Sequence, residues 1–182
     1  MKLIRRWSLM KAVDEENIAE HSAEVARIAH ALAVIANRIY GKSVNADKVT
    51  TLALYHESSE VITGDLPTPI KYYNPEIRLA YGEIERVAND KLLSMLPDEL
   101  RDDYRPLIEQ DASNYERRLV KAADKLSAYV KCVEELKSGN REFAKAEATL
   151  RGEVEKYYCY DEVRYFCETF LHTFRKTLDE LE

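Results

Sequence analysis

The sequence predicts an all-α protein, a single helical domain over residues 1–182 with about seven or more helices. Apolar residues recur at spacings of three and four along most of the chain, and no stretch shows the period-two alternation of a strand. Glycine and proline, 5 each in 182 residues, are too sparse to punctuate a chain of many short strands. Apolar residues at 46% and charged residues at 33% mark a folded globular chain rather than a disordered one.

Charge and cysteine content narrow the function. The net charge is −6 and no long Lys/Arg run is present, which argues against a nucleic-acid polymer as partner. No stretch approaches the roughly 20 apolar residues of a membrane span. Met1 to Trp7 lack the apolar run and small-residue cleavage site of a signal peptide. Cys132, Cys159 and Cys167 form no CxxC pair and are odd in number, so reduced thiols and a cytoplasmic location are expected.

The elements follow in order. Leu3 to Lys11 reads as a short helix carrying the only tryptophan, with Trp7 as a core anchor and Arg6 as a solvated charge. A second helix starts near Ile18 and ends by Gly41, with Ile18, Val25, Ile28, Leu32, Ile35 and Ile39 as its apolar stripe. His21 lies within about 40° of that stripe's centre, while His30 lies on its far flank. A third helix begins after Asn45 and continues to Thr63-Gly64. Pro67 and Pro69 then hold the loop from Gly64 to Tyr73 extended. Asn74-Pro75 opens a helix that runs to about Met95 and stops at Pro97. A shorter helix spans about Asp98 to Gln110, with Pro106 as a kink or a division. Ser113 to Glu116 forms a capping box for a long helix ending at Ser138-Gly139. One or two helices follow, the last with Phe166, Phe170, Leu171, Phe174 and Leu178 as a core stripe.

The third helix carries the chemistry. Val49, Leu52 and Ala53 set its stripe; His56 and Glu60 fall within roughly 20° of the stripe's centre, and Glu57 flanks it at about 80°. A buried carboxylate is costly unless it is paired or binds a metal. A lone histidine on an apolar face is usually a hydrogen-bonded core residue, and His30 and His172 are read that way or as exposed. His21 rises above that reading because a second inward histidine and carboxylates occur downstream. Imidazole and carboxylate together suit a first-row divalent metal such as Mn, Fe, Co or Zn. The spacing is not HExxH, since Glu60 stands where the second histidine would be, and a zincin protease is not expected. Asp124 is a candidate fourth ligand, but it lies opposite the Leu119-Leu126-Val133 stripe and by pattern alone is a surface residue.

His21, His56-Glu57 and Asp124 together resemble the H…HD…D signature of the HD-domain phosphohydrolases. Glu20-His21-Ser22, Tyr55 to Glu60, Thr63-Gly64-Asp65-Leu66-Pro67-Thr68-Pro69, Leu126 to Tyr129 and the upstream Arg6-Trp7 are similar to the YfbR-type 5′-deoxynucleotidases. The resemblance covers nearly the whole chain and weakens after about Gly139. It implies an HD-domain-like helical fold, commonly a homodimer, that hydrolyses 2′-deoxynucleoside 5′-monophosphates to deoxynucleoside and phosphate. It further implies that His21, His56, Glu57 and Asp124 hold one divalent transition metal, Co, Mn or similar. Arg6 would orient the phosphate, and Trp7 would disfavour a 2′-hydroxyl. Asp65, Leu66, Pro67 and Thr68 would line the nucleotide site, and Glu60 would handle the proton of the attacking water or leaving group. The departure is Glu57, one methylene longer than the Asp of the signature. Two readings stand beside this one: a non-catalytic nucleotide-binding or sensor protein in which Glu57 has cost the metal, and a phosphohydrolase acting on other nucleotides.

Overall fold

In a computed structural model of the chain, residues 1–71 and 73–180 are described. The helices are α1 (Ile18–Tyr40), α2 (Ala46–Tyr55), α3 (Glu60–Thr63), α4 (Thr68–Lys71), α5 (Pro75–Ser94), α6 (Asp98–Glu109), α7 (Tyr115–Lys137), α8 (Ala144–Glu155) and α9 (Asp161–Phe170). Short 3₁₀ turns cover Arg141–Phe143, Leu171–Arg175 and Leu178–Glu180. Tyr72, inside the expected Gly64–Tyr73 loop, lies outside the described residues, as does the side chain of Leu178.

Capping residues fix most of the starts. Asn17 accepts from the Ala19 and Glu20 amides, and the Glu20 carboxylate takes the Asn17 amide in return. Asn45 and Asn74 cap α2 and α5 by accepting from the Lys48 and Ile77 amides, with Pro75 at the first turn of α5. The expected Ser113 box does not form. Asp111 takes both the Ser113 amide and hydroxyl at 2.8 Å, and Asn114 caps α7 instead. Pro106 sits inside α6 without dividing it.

α1 lies against α2, α7 and α9, and α7 lies also against α8. Val25, Ile28, Ala29 and Leu32 meet Val49 and Leu52 of α2, Leu119 and Leu126 of α7, and Val163 and Phe166 of α9 in one apolar cluster. Two expected core positions fall outside it. Ile39 is exposed at the end of α1, and Phe170 is exposed because α9 tightens to a 3₁₀ turn after it, which re-aims Leu171 and Phe174 onto the core.

Three segments depart from the sequence reading in ways that build the site. Residues 3–11 form no helix. Arg5 pairs with Asn17, the Arg6 amide donates to Glu16 O at 2.9 Å, and the Ile18 amide donates to Ile4 O at 3.0 Å. Trp7 stands at φ 60°, a left-handed conformation that no helix continues through. The third helix breaks at His56, whose backbone and ring nitrogens both bond Ala53 O, the carbonyl a continuing helix would offer to Glu57. Third, the residues after Pro67 wind into α4 rather than running extended, because Pro67 O accepts from the Ile70 and Lys71 amides.

The N-terminal strap is locked to the far end of α7. Glu135, buried, accepts from the Val13 amide at 2.9 Å, the Asp14 amide at 3.2 Å, Lys131 Nζ at 2.7 Å and Asn140 Nδ2 at 2.8 Å. Burial pushes its carboxyl up, but these donors win and bring it from 4.5 to about 2. Because the folded value is depressed, this stabilisation is present above pH 4.5 and is lost as the pH falls through about 2. Glu135→Ala is expected to lower stability by roughly 3–5 kcal/mol, the cost of breaking a buried ion pair with Lys131 and leaving the Val13 and Asp14 amides unmatched. Urea unfolding at pH 7 checks the size; an unchanged midpoint would show that the strap is held by other contacts.

Candidate metal centre

Four acid and imidazole groups from three places in the chain converge. His21 comes from the second turn of α1, His56 and Glu57 from the break after α2, and Asp124 from the middle of α7. One donor atom from each lies within 4.8 Å of all the others. Asp124 is 5% exposed, so the expectation of a surface residue is corrected. α7 is clasped by α1 and α2 on one side and α8 on the other, and its stripe is therefore not its only buried face.

The tautomers are set by neighbours. Ala53 O can only accept, so His56 Nδ1 carries the proton of the neutral ring at 2.6 Å from it. His56 Nε2 then presents a lone pair, buried and without a hydrogen bond, 3.2 Å from Glu57 Oε1. Two electron-rich atoms face each other in a dry place, an arrangement that a shared cation relieves. His21 Nε2 lies 3.1 Å from Asp124 Oδ1. Its Nδ1 lies 2.8 Å from Arg6 Nη1, 3.2 Å from Ser127 Oγ and 3.7 Å from Glu16 Oε1. The donor set of two imidazoles and two carboxylates, with one ring nitrogen already orphaned, fits a divalent transition metal.

The charges around the centre are strongly biased. Burial pushes Asp124 up, but Lys125, His21 and Lys121 hold it well below the usual carboxylate range. Against the same burial penalty, Glu57 is held well below the usual carboxylate range by the proton that Glu60 turns toward it. Glu60 goes the other way, to about 10, because it is buried and faces Glu57. The two glutamates therefore share one proton, and it sits on Glu60, whose Oε2 is buried with no partner. Burial lowers His21, with Arg6 adding to it.

The remaining expected residues surround this cluster to different degrees. Arg6 is not a solvated charge: it donates to Glu16 Oε2 at 2.8 Å as well as to His21. Trp7 donates from Nε1 to the same Glu16 oxygen at 3.1 Å and lies 5.2 Å from the Phe143 ring, so it is half-buried at the rim. Asp65, raised by burial and drawn back by Arg6, is electrically part of the site. Leu66 and Pro67 are half-buried and Thr68 is exposed, and no hydrogen bond ties their side chains to the cluster among the described residues. Glu16 was not foreseen, because the strap that brings it beside Arg6 has no periodic signature. Ser127, one turn after Asp124, was visible only as part of a motif. A hollow of about 430 Å³ between α5 and α6 is lined by Glu85, Arg86, Asn89 and Asp90. Its charges are already paired, Arg86 with Asp90 and Glu85 with Lys71, so it does not compete as a site.

Known proteins resemble this chain over its whole length. Residues 1–174 match the family described as 5′-deoxynucleotidase YfbR-like. A 5′-deoxynucleotidase of Vibrio vulnificus is 52% identical over 182 residues, covering 100% of this chain and 93% of the relative. The 5′-deoxynucleotidase YfbR of Escherichia coli is 50% identical, covering 100% of this chain and 91% of the relative. Among solved structures, an HD-domain phosphohydrolase from Listeria innocua superposes with a TM-score of 0.83 at 26% identity, over 94% of this chain and 83% of that one. A cyanophage HD phosphohydrolase, bound to dA and one catalytic Zn2+ ion, shares the fold at a TM-score of 0.63 and 22% identity, over 96% of this chain and 92% of that one.

Proposed function

We propose, from the premise that this chain belongs to the 5′-deoxynucleotidase YfbR-like family, a role for each group of the metal centre. The protein is a 5′-deoxynucleotidase, a phosphohydrolase that removes the 5′-phosphate of 2′-deoxynucleoside monophosphates. His21, His56, Glu57 and Asp124 would hold one divalent metal, Co, Mn or similar, within a single domain over residues 1–182. The observation that carries this reading is the orphaned His56 Nε2 lone pair facing Glu57. When bound, such a metal supplies a Lewis acid to the phosphoryl oxygens and acidifies water.

The chain's own residues do the rest. With His21 Nε2 given to a cation, the ring proton belongs on Nδ1, where Ser127 Oγ and Glu16 Oε1 can accept it. Arg6 Nη1 then loses an acceptor and turns its fork to the phosphate, while Glu16 keeps its other hold on the guanidinium. Glu60 holds its proton beside Glu57 and gives it to the departing 5′-oxygen, and the proton shed by the attacking water restores it. Trp7, fixed by Glu16 and Phe143, closes against the sugar and disfavours a 2′-hydroxyl, and Asp65 to Thr68 line the nucleoside.

Phosphate release from dAMP and AMP, before and after chelation and with Co or Mn returned, tests this reading. Preference for dAMP and recovery with metal are expected; full activity of a verified metal-free sample would sink it. We propose also a cytoplasmic homodimer. Leu79, Ile84 and Val87 leave apolar surface exposed on α5, which favours self-association, and among the described residues no helix is long and apolar enough to cross a membrane.

Glu57 is expected to ligate despite its extra methylene, since ordering one more bond costs on the order of 0.5 kcal/mol, small against metal binding. Glu57→Asp should keep or tighten metal binding and keep or raise turnover. Glu57→Gln should weaken metal binding by removing a negative charge from the ligand set. Metal titration of the three proteins decides it, and a Gln variant that binds like the wild type removes Glu57 from the ligands.

A further inference from the structure

We propose that Lys121 and Arg117 of α7 bind the substrate's phosphate from the Asp124 side of the centre, as Arg6 does from the His21 side. The inference rests on the function proposed above and adds two residues to it. The row is set by helix geometry: Arg117 stands two turns before Asp124 and about 20° from it around the axis, and Lys121 about 60°. Lys121 Nζ lies 3.9 Å from Asp124 Oδ2, beyond hydrogen-bond reach, and its side chain is 43% exposed. Its donors are therefore open to a ligand while its charge is held at the centre. Arg117 Nη1 is buried with no hydrogen-bond partner, an unmet donor that a native structure rarely keeps without use. Asp124, Glu57 and Glu85 of α5 are the carboxylates whose charges act on it most strongly, against its burial.

The other cations near the centre are already engaged. Arg6 is tied to Glu16, Lys71 to Glu85 at 2.8 Å, and Lys125 to Asp124 at 3.4 Å. A phosphate monoester brings up to two negative charges and three free oxygens into a centre that already holds Glu57, Asp124 and Asp65. One guanidinium shared with Glu16 is a thin supply of donors for it. Lys121 and Arg117 supply further ones from α7.

The test separates phosphate from nucleoside. Binding of inorganic phosphate, of deoxyadenosine and of a non-hydrolysable dAMP phosphonate is measured by calorimetry on the metal-loaded wild type, Lys121→Met and Arg117→Met. Each variant should weaken phosphate and phosphonate by about tenfold or more and leave deoxyadenosine unchanged. Lys121→Arg and Arg117→Lys should retain most of the binding, and melting temperatures show whether each variant is folded. Should Arg117→Met not fold, Arg117→Gln takes its place. Unchanged phosphonate affinity in either folded variant overturns the proposal, as does an equal loss for deoxyadenosine. Wild-type turnover of dAMP stands apart. If it occurs while the variants bind unchanged, the pair falls and the function stands. If it is absent while the variants lose phosphonate, the reverse holds.

Discussion

His56→Ala is expected to empty the metal centre and to lower phosphate release by roughly 10³-fold or more, about 4 kcal/mol of barrier. The reason is specific to this ring. His56 Nε2 makes no hydrogen bond to the protein, so its lone pair has no role in the metal-free fold. From that fold go the Nδ1 bond to Ala53 O and the packing of a fully buried ring against His21, so the metal-free variant should also melt several degrees below the metal-free wild type. His21→Ala should cost both activity and stability, because it opens a fully buried position and strips Asp124 and Ser127 of a partner. Metal content by elemental analysis, beside chelated melting curves, separates the two. A His56 variant that keeps its metal would remove that ring from the ligand set.

Glu60→Gln should keep the metal and most of the substrate affinity, yet lose roughly 10²–10⁴-fold in kcat, the usual worth of a positioned acid or base. The amide is nearly the same size and still offers a donor toward Glu57, so the Glu57–Glu60 contact survives. What disappears is a proton that can leave. A substrate with a good leaving group, such as a nitrophenyl phosphate, needs that proton less, and the variant should lose far less on it. An equal loss on both substrates would place Glu60 in support of the ligands rather than in proton transfer.

The fold was legible wherever helical periodicity and capping agree. α1 and α5 begin and end close to where the Ile18 stripe, Gly41, Asn74 and Pro97 place them, since those signals act locally. The strap was not legible: its Arg6, Val13 and Asp14 amides are spent on Glu16 and Glu135, up to 122 residues away, its Ile4 carbonyl is taken by the Ile18 amide, and no local pattern reports such pairings. Nor was the break at His56, where a side chain takes the carbonyl of its own helix. In the candidate site, His21 and His56 could be read from their inward position on a stripe. Asp124 could not, because periodicity assumes one buried face and α7 has more than one. Glu16 and Arg117 carried no signal of their own. One is placed by the strap, and the other looks like any charge in a first helical turn.

The order in which the chain is made bears on where the strap is tied. A ribosome releases His21, His56, Glu57 and Asp124 before it releases Glu135, Asn140 and Glu142, which hold Lys11, Val13 and Asp14. A nascent chain, or a product cut short after Ser127, thus contains every candidate ligand but lacks the anchors of Lys11, Val13 and Asp14, and its Arg6 and Trp7 are held only through Glu16, Asn17, Ile18 and His21. Synthesis of those last anchors is what fastens the strap at its second end, so the candidate ligands are all made before the proposed nucleotide pocket is closed.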